Sequence, residues 1–368
     1  MPANNKPHPT IVRYILDVRD IFPSHEALPL ALLPEKTHPG IVKFFHHADR
    51  KLAFGSQVLQ RLLVCRIHFH EEHNASSDEE EVTPSDIDPS TGQARPVRRR
   101  IGLKDVEIHR DEASGRPFHQ HDDDETSLLT PPKKKPRFLE DFNVSHAAGI
   151  VILAARVSEI EPPVRNPLLE HPSGQIPVEY QRRKRKIGVD VVPTKHSPPA
   201  GPDKGKREAT CEENDKWIKN FIGNQIFTKH EEEQILGEAD SKRRVRKLYL
   251  LWALKEAYVK AVGTGLITDL LAIEFRNTPL FDVDDKQRRF RGVELYLGGE
   301  KSNDWYLEVT AYGGEGPEEA SHYLAIASQA EGLREEDLLD EWEILDFEKD
   351  VLPYGPFPRM PNKIKRQS

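Results

Sequence analysis

Cysteine is almost missing from this 368-residue chain. Cys65 and Cys211 are the only two, too few and too isolated for a disulfide framework or a cysteine-based zinc site, and neither sits in a catalytic motif. Long apolar runs are missing too: no stretch approaches the roughly 20 residues that span a bilayer, and Met1 to Thr10 hold no signal-type apolar segment. The chain is therefore expected to be soluble and cytoplasmic, with no membrane partner, and Asn74-Ala75-Ser76 is read as a chance sequon. Positive charge is not in excess. Lys and Arg number 53 against 61 Asp and Glu, a formal net charge of −8, so nothing global favours nucleic acid. The basic runs Arg95 to Arg100, Lys133 to Arg137 and Arg182 to Lys186 lack interleaved aromatics and any reader motif, and no nucleic-acid partner is expected. No G-x-x-x-x-G-K-[ST] occurs, and Gly263-Thr264-Gly265 lacks its lysine, which excludes a P-loop enzyme. In His68 to His73, His70 and His73 stand three apart, where a zincin needs four.

What is present suggests two packed halves and several unpacked insertions. The length suits two domains, yet 31% of residues are charged and only 37% are aliphatic, aromatic or cysteine. Ile11 to Val18 alternates as a half-buried strand, and Ile41 to Arg66 carries the three- and four-residue spacing of two helices. Ile101 to Arg116 holds a possible strand through Val106 and Ile108 and a turn at Ser114-Gly115. Ile150 to Ala155 is a short branched run suited to a buried strand, with Ser145 and His146 at its mouth. The resulting division is an N-terminal half over 10–158, interrupted by charged insertions near 71–100 and 119–138. A proline-rich linker follows over 159–186, then a C-terminal half over 187–330 and an extension over 331–368. Lys133 to Arg137 inside the second insertion also resembles a nuclear localisation signal.

In the C-terminal half, Ile187 to Val192 reads as a strand with one acid, Asp190, among branched residues, where a carboxylate must be paired, protonated or metal-bound. Thr228 and Glu231 form a capping-box signature. Trp252 to Leu266 reads as a helix of good formers closed by Gly263 and Gly265. Trp252, Glu256 and Lys260 recur every four residues and share a face. Taken alone, Glu256 and Lys260 read as a solvated pair. Strands follow at Leu270 to Phe275, Arg291 to Leu297, Tyr306 to Ala311 and His322 to Ala327, and the acidic Leu333 to Lys349 suits a surface helix.

Phe142-Asn143-Val144-Ser145-His146, Gly188-Val189-Asp190 and Trp252 through Lys255-Glu256 to Lys260 and Gly263 stand in that order. Together they resemble the Sfp-type 4'-phosphopantetheinyl transferases, and the long insertions resemble the fungal members. The resemblance runs from about Lys43 to Ala327, with weaker features at Asp49 to Leu59, Gly115-Arg116-Pro117 and Phe227-Thr228. It implies an α+β pseudo-dimer of two similar halves with the active site between them. It also implies a magnesium-dependent enzyme of the holo-[acyl-carrier-protein] synthase type. Such an enzyme moves the phosphopantetheine arm of coenzyme A, its co-substrate, onto a serine of an acyl or peptidyl carrier domain and releases adenosine 3',5'-bisphosphate.

By motif matching, Asp190 and Glu256 are the implied magnesium ligands, and Glu256, Asp190 and Lys260 the implied catalytic set. Ser145 and His146 are implied to bind the 3'-phosphate and Lys260 the pyrophosphate. Arg116 and Arg110 are implied at the nucleotide end, with Lys43, Lys51 and Lys255 as further cofactor-binding residues. The chemistry is consistent: phosphoryl transfer needs positioned cations, and two carboxylates from different segments suit a magnesium ion that keeps its waters. Three departures stand out. Val192 replaces a second acid found in many bacterial relatives, Ala147 replaces a glutamine found in some, and Arg116 replaces the common lysine. A monomer is expected, since one chain supplies both halves. The alternative is a homologue that binds coenzyme A or a carrier without turnover.

Overall fold

The computed structural model describes residues 11–19, 21–22, 26–69, 101–112, 114–119, 137–159, 185–196, 207–281, 288–313 and 321–355. The insertion over 71–100, the Lys133 to Pro136 run and nearly all of the 119–138 insertion and the 159–186 linker lie outside these residues, as does His70 to His73.

The N-terminal half runs β1 (Ile11–Asp17), a short helix α1 (His38–Val42), α2 (His47–Phe69), the two-residue strands β2 (His109–Arg110) and β3 (Pro117–Phe118), β4 (Arg137–Ala147) and β5 (Ile150–Glu159). The stretch read as a strand through Val106 is instead one 3-10 turn at Leu103–Asp105 followed by β2. The C-terminal half runs β6 (Ile187–Pro193), α3 (Cys211–Ile222), α4 (Lys229–Leu236), α5 (Ser241–Val262), β7 (Ile273–Arg276), β8 (Arg289–Phe290), β9 (Glu294–Leu297), β10 (Glu300–Ser302), β11 (Trp305–Tyr312) and β12 (His322–Gln329). A last strand, β13, covers Glu343–Ile344. Among the described residues no helix is long and apolar enough to cross a membrane.

Two four-stranded sheets carry the architecture, ordered β13-β1-β5-β4 and β6-β12-β11-β8. In each, a first strand leads to a long helix and then to an antiparallel hairpin whose second strand pairs with the first: β1 with β5, β6 with β12. Ala148 and Gly149, both with positive φ (44° and 88°), close the β4–β5 hairpin in two residues and so fix its register, with Ser145 opposite Ile152.

Three apolar clusters follow from the patterning. Leu16, Leu62 and Val151 belong to a core between α2 and the first sheet; Leu254, Val309 and Tyr323 belong to one between α5 and the second. Ile15, Ile152, Val189 and Ile326 form the third, where the two sheets face one another. The expectation of a half-buried β1 is corrected here. Tyr14 and Leu16 serve the first core while Ile11 and Ile15 serve the third, so both faces are covered. Arg13 crosses that third core to Glu308 (3.2 Å), which also accepts from Arg289 and from the Tyr306 hydroxyl, so the buried charge is shared among several donors.

The extension is no surface helix. It crosses back to the N-terminal half, where β13 pairs parallel with β1 and the Leu345 amide donates to the Ile15 carbonyl (2.8 Å). Leu345, Phe347 and Val351 then enter the core beside α2, and Phe347 meets Phe22 edge-on at 4.9 Å. Replacing Phe347 by alanine is expected to lower unfolding free energy by about 3 kcal/mol, read from urea midpoints at constant slope.

Candidate active site

Helix α5 forms one wall of the site. Asp240 caps it, accepting from the Lys242 and Arg243 amides (2.8 and 2.9 Å), and acids hold its basic first turns, Glu238 at Arg243 and Asp215 at Arg244. These partners extend the helix well upstream of Trp252. Gly263, at φ 80°, ends it by donating to the Val259 carbonyl (2.8 Å); Gly265 lies in the next turn. Trp252, Glu256 and Lys260 do share a face, and that face lines a cleft of about 940 Å³ whose opposite wall is α2 and β4.

Strand β6 brings the second carboxylate. A Cβ on Gly188 would lie 2.0 Å from the Ala257 carbonyl oxygen and 2.4 Å from the Ala261 nitrogen, so only glycine lets β6 lie against α5. Asp190, two residues on, is consequently buried with its Oδ1 2.5 Å from Lys260 Nζ.

Strand β4 closes the junction from the other half. β6 is an edge strand of its sheet, and its outer amides need acceptors. Every second residue of β4 supplies one contact: Asp141 Oδ2 accepts from the Ile187 amide (2.9 Å), Asn143 Oδ1 accepts from the Val189 amide (3.2 Å), and Ser145 Oγ donates to Asp190 Oδ1 (2.7 Å). Asp141 and Asn143 are absent from the sequence-derived site. The available signal was the alternation of polar Asp141, Asn143 and Ser145 with apolar Phe142 and Val144.

The reading of Glu256 and Lys260 as a solvated pair fails. Lys260 bonds Asp190 and Ser145 Oγ (3.0 Å), while the half-buried Glu256 carboxylate has no hydrogen-bond or ion-pair partner among the described residues. Loss of hydration and then the Asp190 charge push the Glu256 pKa up, and Lys260 offsets this in part. His146 opens onto the cleft. Partial loss of hydration and then the Lys260 charge push its pKa down, favouring the neutral ring.

The basic residues divide. Lys43 and Arg110 are exposed and line the cleft. Arg116 also lines it, but its guanidinium joins the halves, donating to the Ala261 carbonyl (2.9 Å), the Ile187 carbonyl (2.8 Å) and Asp141 (2.5 Å). Lys51 is placed away from the cleft lining, with Nζ on the Arg19 carbonyl (2.6 Å). Lys255 is corrected outright. Fully buried, it donates to the carbonyls of Leu270 (2.8 Å) and Ile273 (2.5 Å) and pairs with Glu231 (2.9 Å), which uses all three ammonium protons. Glu231 doubles as the α4 cap partner of Thr228. Lys255→Met should therefore destabilise by about 3 to 5 kcal/mol, because Glu231 is left buried without its partner. Coenzyme A affinity of the folded variant, measured calorimetrically below its melting temperature, should stay within about twofold of the parent.

The donor set suits a hard divalent cation. Two carboxylates from different elements converge against one ammonium, and Asp190 Oδ2 accepts no hydrogen bond among the described residues. Among those residues no group of three or more His, Cys, Asp and Glu assembles, so water or substrate oxygens would complete the shell.

Residues 186–327 match the sequence model of the 4'-phosphopantetheinyl transferase superfamily. 4'-Phosphopantetheinyl transferase A of Aspergillus fumigatus is 24% identical over 95% of this chain and 96% of its own length. 4'-Phosphopantetheinyl transferase NpgA of Emericella nidulans is 22% identical over 94% of each. The human L-aminoadipate-semialdehyde dehydrogenase-phosphopantetheinyl transferase is 27% identical over 54% of this chain, a match spanning about half (49%) of that protein. Residues 186–327, which hold Asp190, Glu256 and Lys260, thus carry a domain of the 4'-phosphopantetheinyl transferase superfamily, in a chain similar to fungal transferases along most of its length.

Proposed function

We propose that the protein transfers the 4'-phosphopantetheine group of coenzyme A to a serine of acyl or peptidyl carrier domains, working as a cytoplasmic monomer. The observation that carries this reading is that Glu256 and Lys260 line a cleft together with Lys43, Arg110 and His146, while Lys260 is bonded to the buried Asp190 behind them. The shared strand–helix–hairpin order of the two halves supports a pseudo-dimer with coenzyme A between them.

Asp190 and Glu256 would hold magnesium, which when bound neutralises pyrophosphate charge. Lys260 adds a second cation beside the phosphorus under attack, and Lys43, Arg110 and His146 receive the nucleotide phosphates. Glu256 is placed to take the proton of the carrier serine. The serine oxygen bonds to the phosphorus bearing pantetheine as the bridging P–O bond breaks, and adenosine 3',5'-bisphosphate leaves with that electron pair. The name of the human relative suggests the aminoadipate-semialdehyde dehydrogenase carrier among the acceptors.

Chromatographic assay of adenosine 3',5'-bisphosphate tests the proposal. Release should need both magnesium and an apo carrier. Coenzyme A binding without release, across fatty-acid, polyketide, nonribosomal-peptide and lysine-pathway carriers, would favour a binding homologue instead.

A further inference from the structure

The contact between β4 and β6 has a counterpart between β11 and β1. In the first hairpin the last pair before the turn is Ala147 with Ile150, and in the second it is Tyr312 with His322. Counted back from those ends, Ser145 corresponds to Thr310 and Asn143 to Glu308. On the adjoining strands, Tyr14 opposite Leu153 corresponds to Asp190 opposite Ala325. The Asn143 contact to Val189 is accordingly matched by the Glu308 contact to Arg13. The chemistry is not repeated. Tyr14 stands in the place of Asp190, and Arg66, 5.1 Å from its ring, is taken by Glu343 and Asp350 of the extension.

A cavity of about 960 Å³ nevertheless lies at this second junction, and it shares no lining residue with the first cleft. Its walls are β8, the end of β11 and the extension. Arg13 and Arg289 share the single carboxylate of Glu308 (3.2 and 2.6 Å), Arg288 and Arg291 bring further guanidinium groups, and Glu341 is the only acid among the lining residues described. Positive charge is therefore in excess. Arg291 is exposed, pairs with no carboxylate among the described residues, and uses only Nη1, on the Leu338 carbonyl (2.6 Å), so its remaining donors face a ligand freely. Phe290, Tyr312 and Trp342 also line the cavity, half-buried, and none of these rings meets another ring among the described residues. The Trp342 indole is held at its edge by Nε1 donating to Thr310 Oγ1 (3.2 Å).

We propose that this cavity is a second ligand site, for a nucleoside phosphate, with the phosphate against Arg291 and the base against the rings of Tyr312 and Trp342. A bare anion would leave the three rings unused, and an apolar ligand would cover Arg291 without a counter-charge. An aromatic base that carries a phosphate meets both demands, because guanidinium suits phosphate oxygens and the rings offer stacking faces. Arg291 belongs to the C-terminal half and Trp342 to the extension, so a bound nucleotide would also tie the extension to that half.

The site does not depend on the transferase reading, and one titration separates the two. Adenosine 3',5'-bisphosphate is the probe, titrated calorimetrically into the full chain. The parent should take up a second equivalent beyond the one held in the cleft. Arg291→Glu, and separately Leu339→Glu at the exposed rim of the cavity, should weaken that second equivalent by about tenfold or more, the loss expected when a hydrogen bond to a charged group is removed. Arg110→Glu should weaken the cleft equivalent and leave the second in place. Thermal melts confirm that each variant is folded at the assay temperature. A parent that takes up a single equivalent, sensitive to Arg110→Glu and indifferent to Arg291→Glu, would overturn the second site while leaving the proposed function intact. A second equivalent that persists in both Arg291→Glu and Leu339→Glu would overturn its location, and pyrophosphate bound there as tightly as the nucleotide would overturn the ligand class.

Discussion

Glu256→Gln should lose transfer activity by about 10²- to 10⁴-fold while melting no lower than the parent. Glutamine keeps the size and the helix but can neither take a proton nor offer a charged ligand. The stability half of this expectation follows from the raised pKa. Below the ordinary glutamate value of 4.5 the carboxyl is protonated in the folded and unfolded chains alike and contributes no difference. As pH rises past 4.5 the unfolded chain ionises freely, while the folded one must either keep the proton or ionise beside Asp190 in a half-buried wall. The folded state is therefore penalised, fully so above the raised value. Glutamine removes the penalty, so differential scanning between pH 5 and pH 8 should show the variant gaining on the parent as pH rises. An enzyme that holds an uncompensated acid for chemistry shows this exchange of stability for activity. A variant with full activity would refute the role of Glu256.

Gly188→Ala is expected to lower stability by about 3 kcal/mol or more. Overpacking a core usually costs about 1 to 3 kcal/mol because side chains can move aside. Here the new Cβ meets backbone of α5, at 2.0 Å from the Ala257 carbonyl oxygen and 2.4 Å from the Ala261 nitrogen, and a helix backbone cannot rotate away. Shifting β6 instead would pull Asp190 from Lys260 and break the Ile187 and Val189 bonds to β4. Gly40→Ala is the control. Its Cβ would meet nothing within 4 Å, and alanine in helix α1 should be neutral or stabilising by up to about 1 kcal/mol. Urea unfolding of the pair measures the contrast.

The parts of the site set by local pattern were legible in the sequence. Four-residue spacing put Trp252, Glu256 and Lys260 on one face, and an acid in a branched run singled out Asp190. The α4 cap at Thr228 and the helix end at Gly263 were equally local. What was missed depends on partners distant in sequence. Lys255 directly precedes Glu256, yet helical geometry turns it inward to Glu231 and two carbonyls. Arg116 looks like a cleft cation until Ala261, Ile187 and Asp141 take its donors. Spacing could not reveal that Lys260 would choose Asp190 over Glu256, because that choice depends on β6 lying against α5. The extension failed for a different reason: its acidic composition suggested an exposed helix, whereas Leu345, Phe347 and Val351 are anchors for the opposite half.

The most direct measurement is the intact mass of an apo carrier domain, and of the same domain with its acceptor serine replaced by alanine, after incubation with the protein, coenzyme A and magnesium. The first should gain one phosphopantetheine group and the second nothing. Unchanged mass of every apo carrier type, from a folded protein that binds coenzyme A, would contradict the proposed transfer.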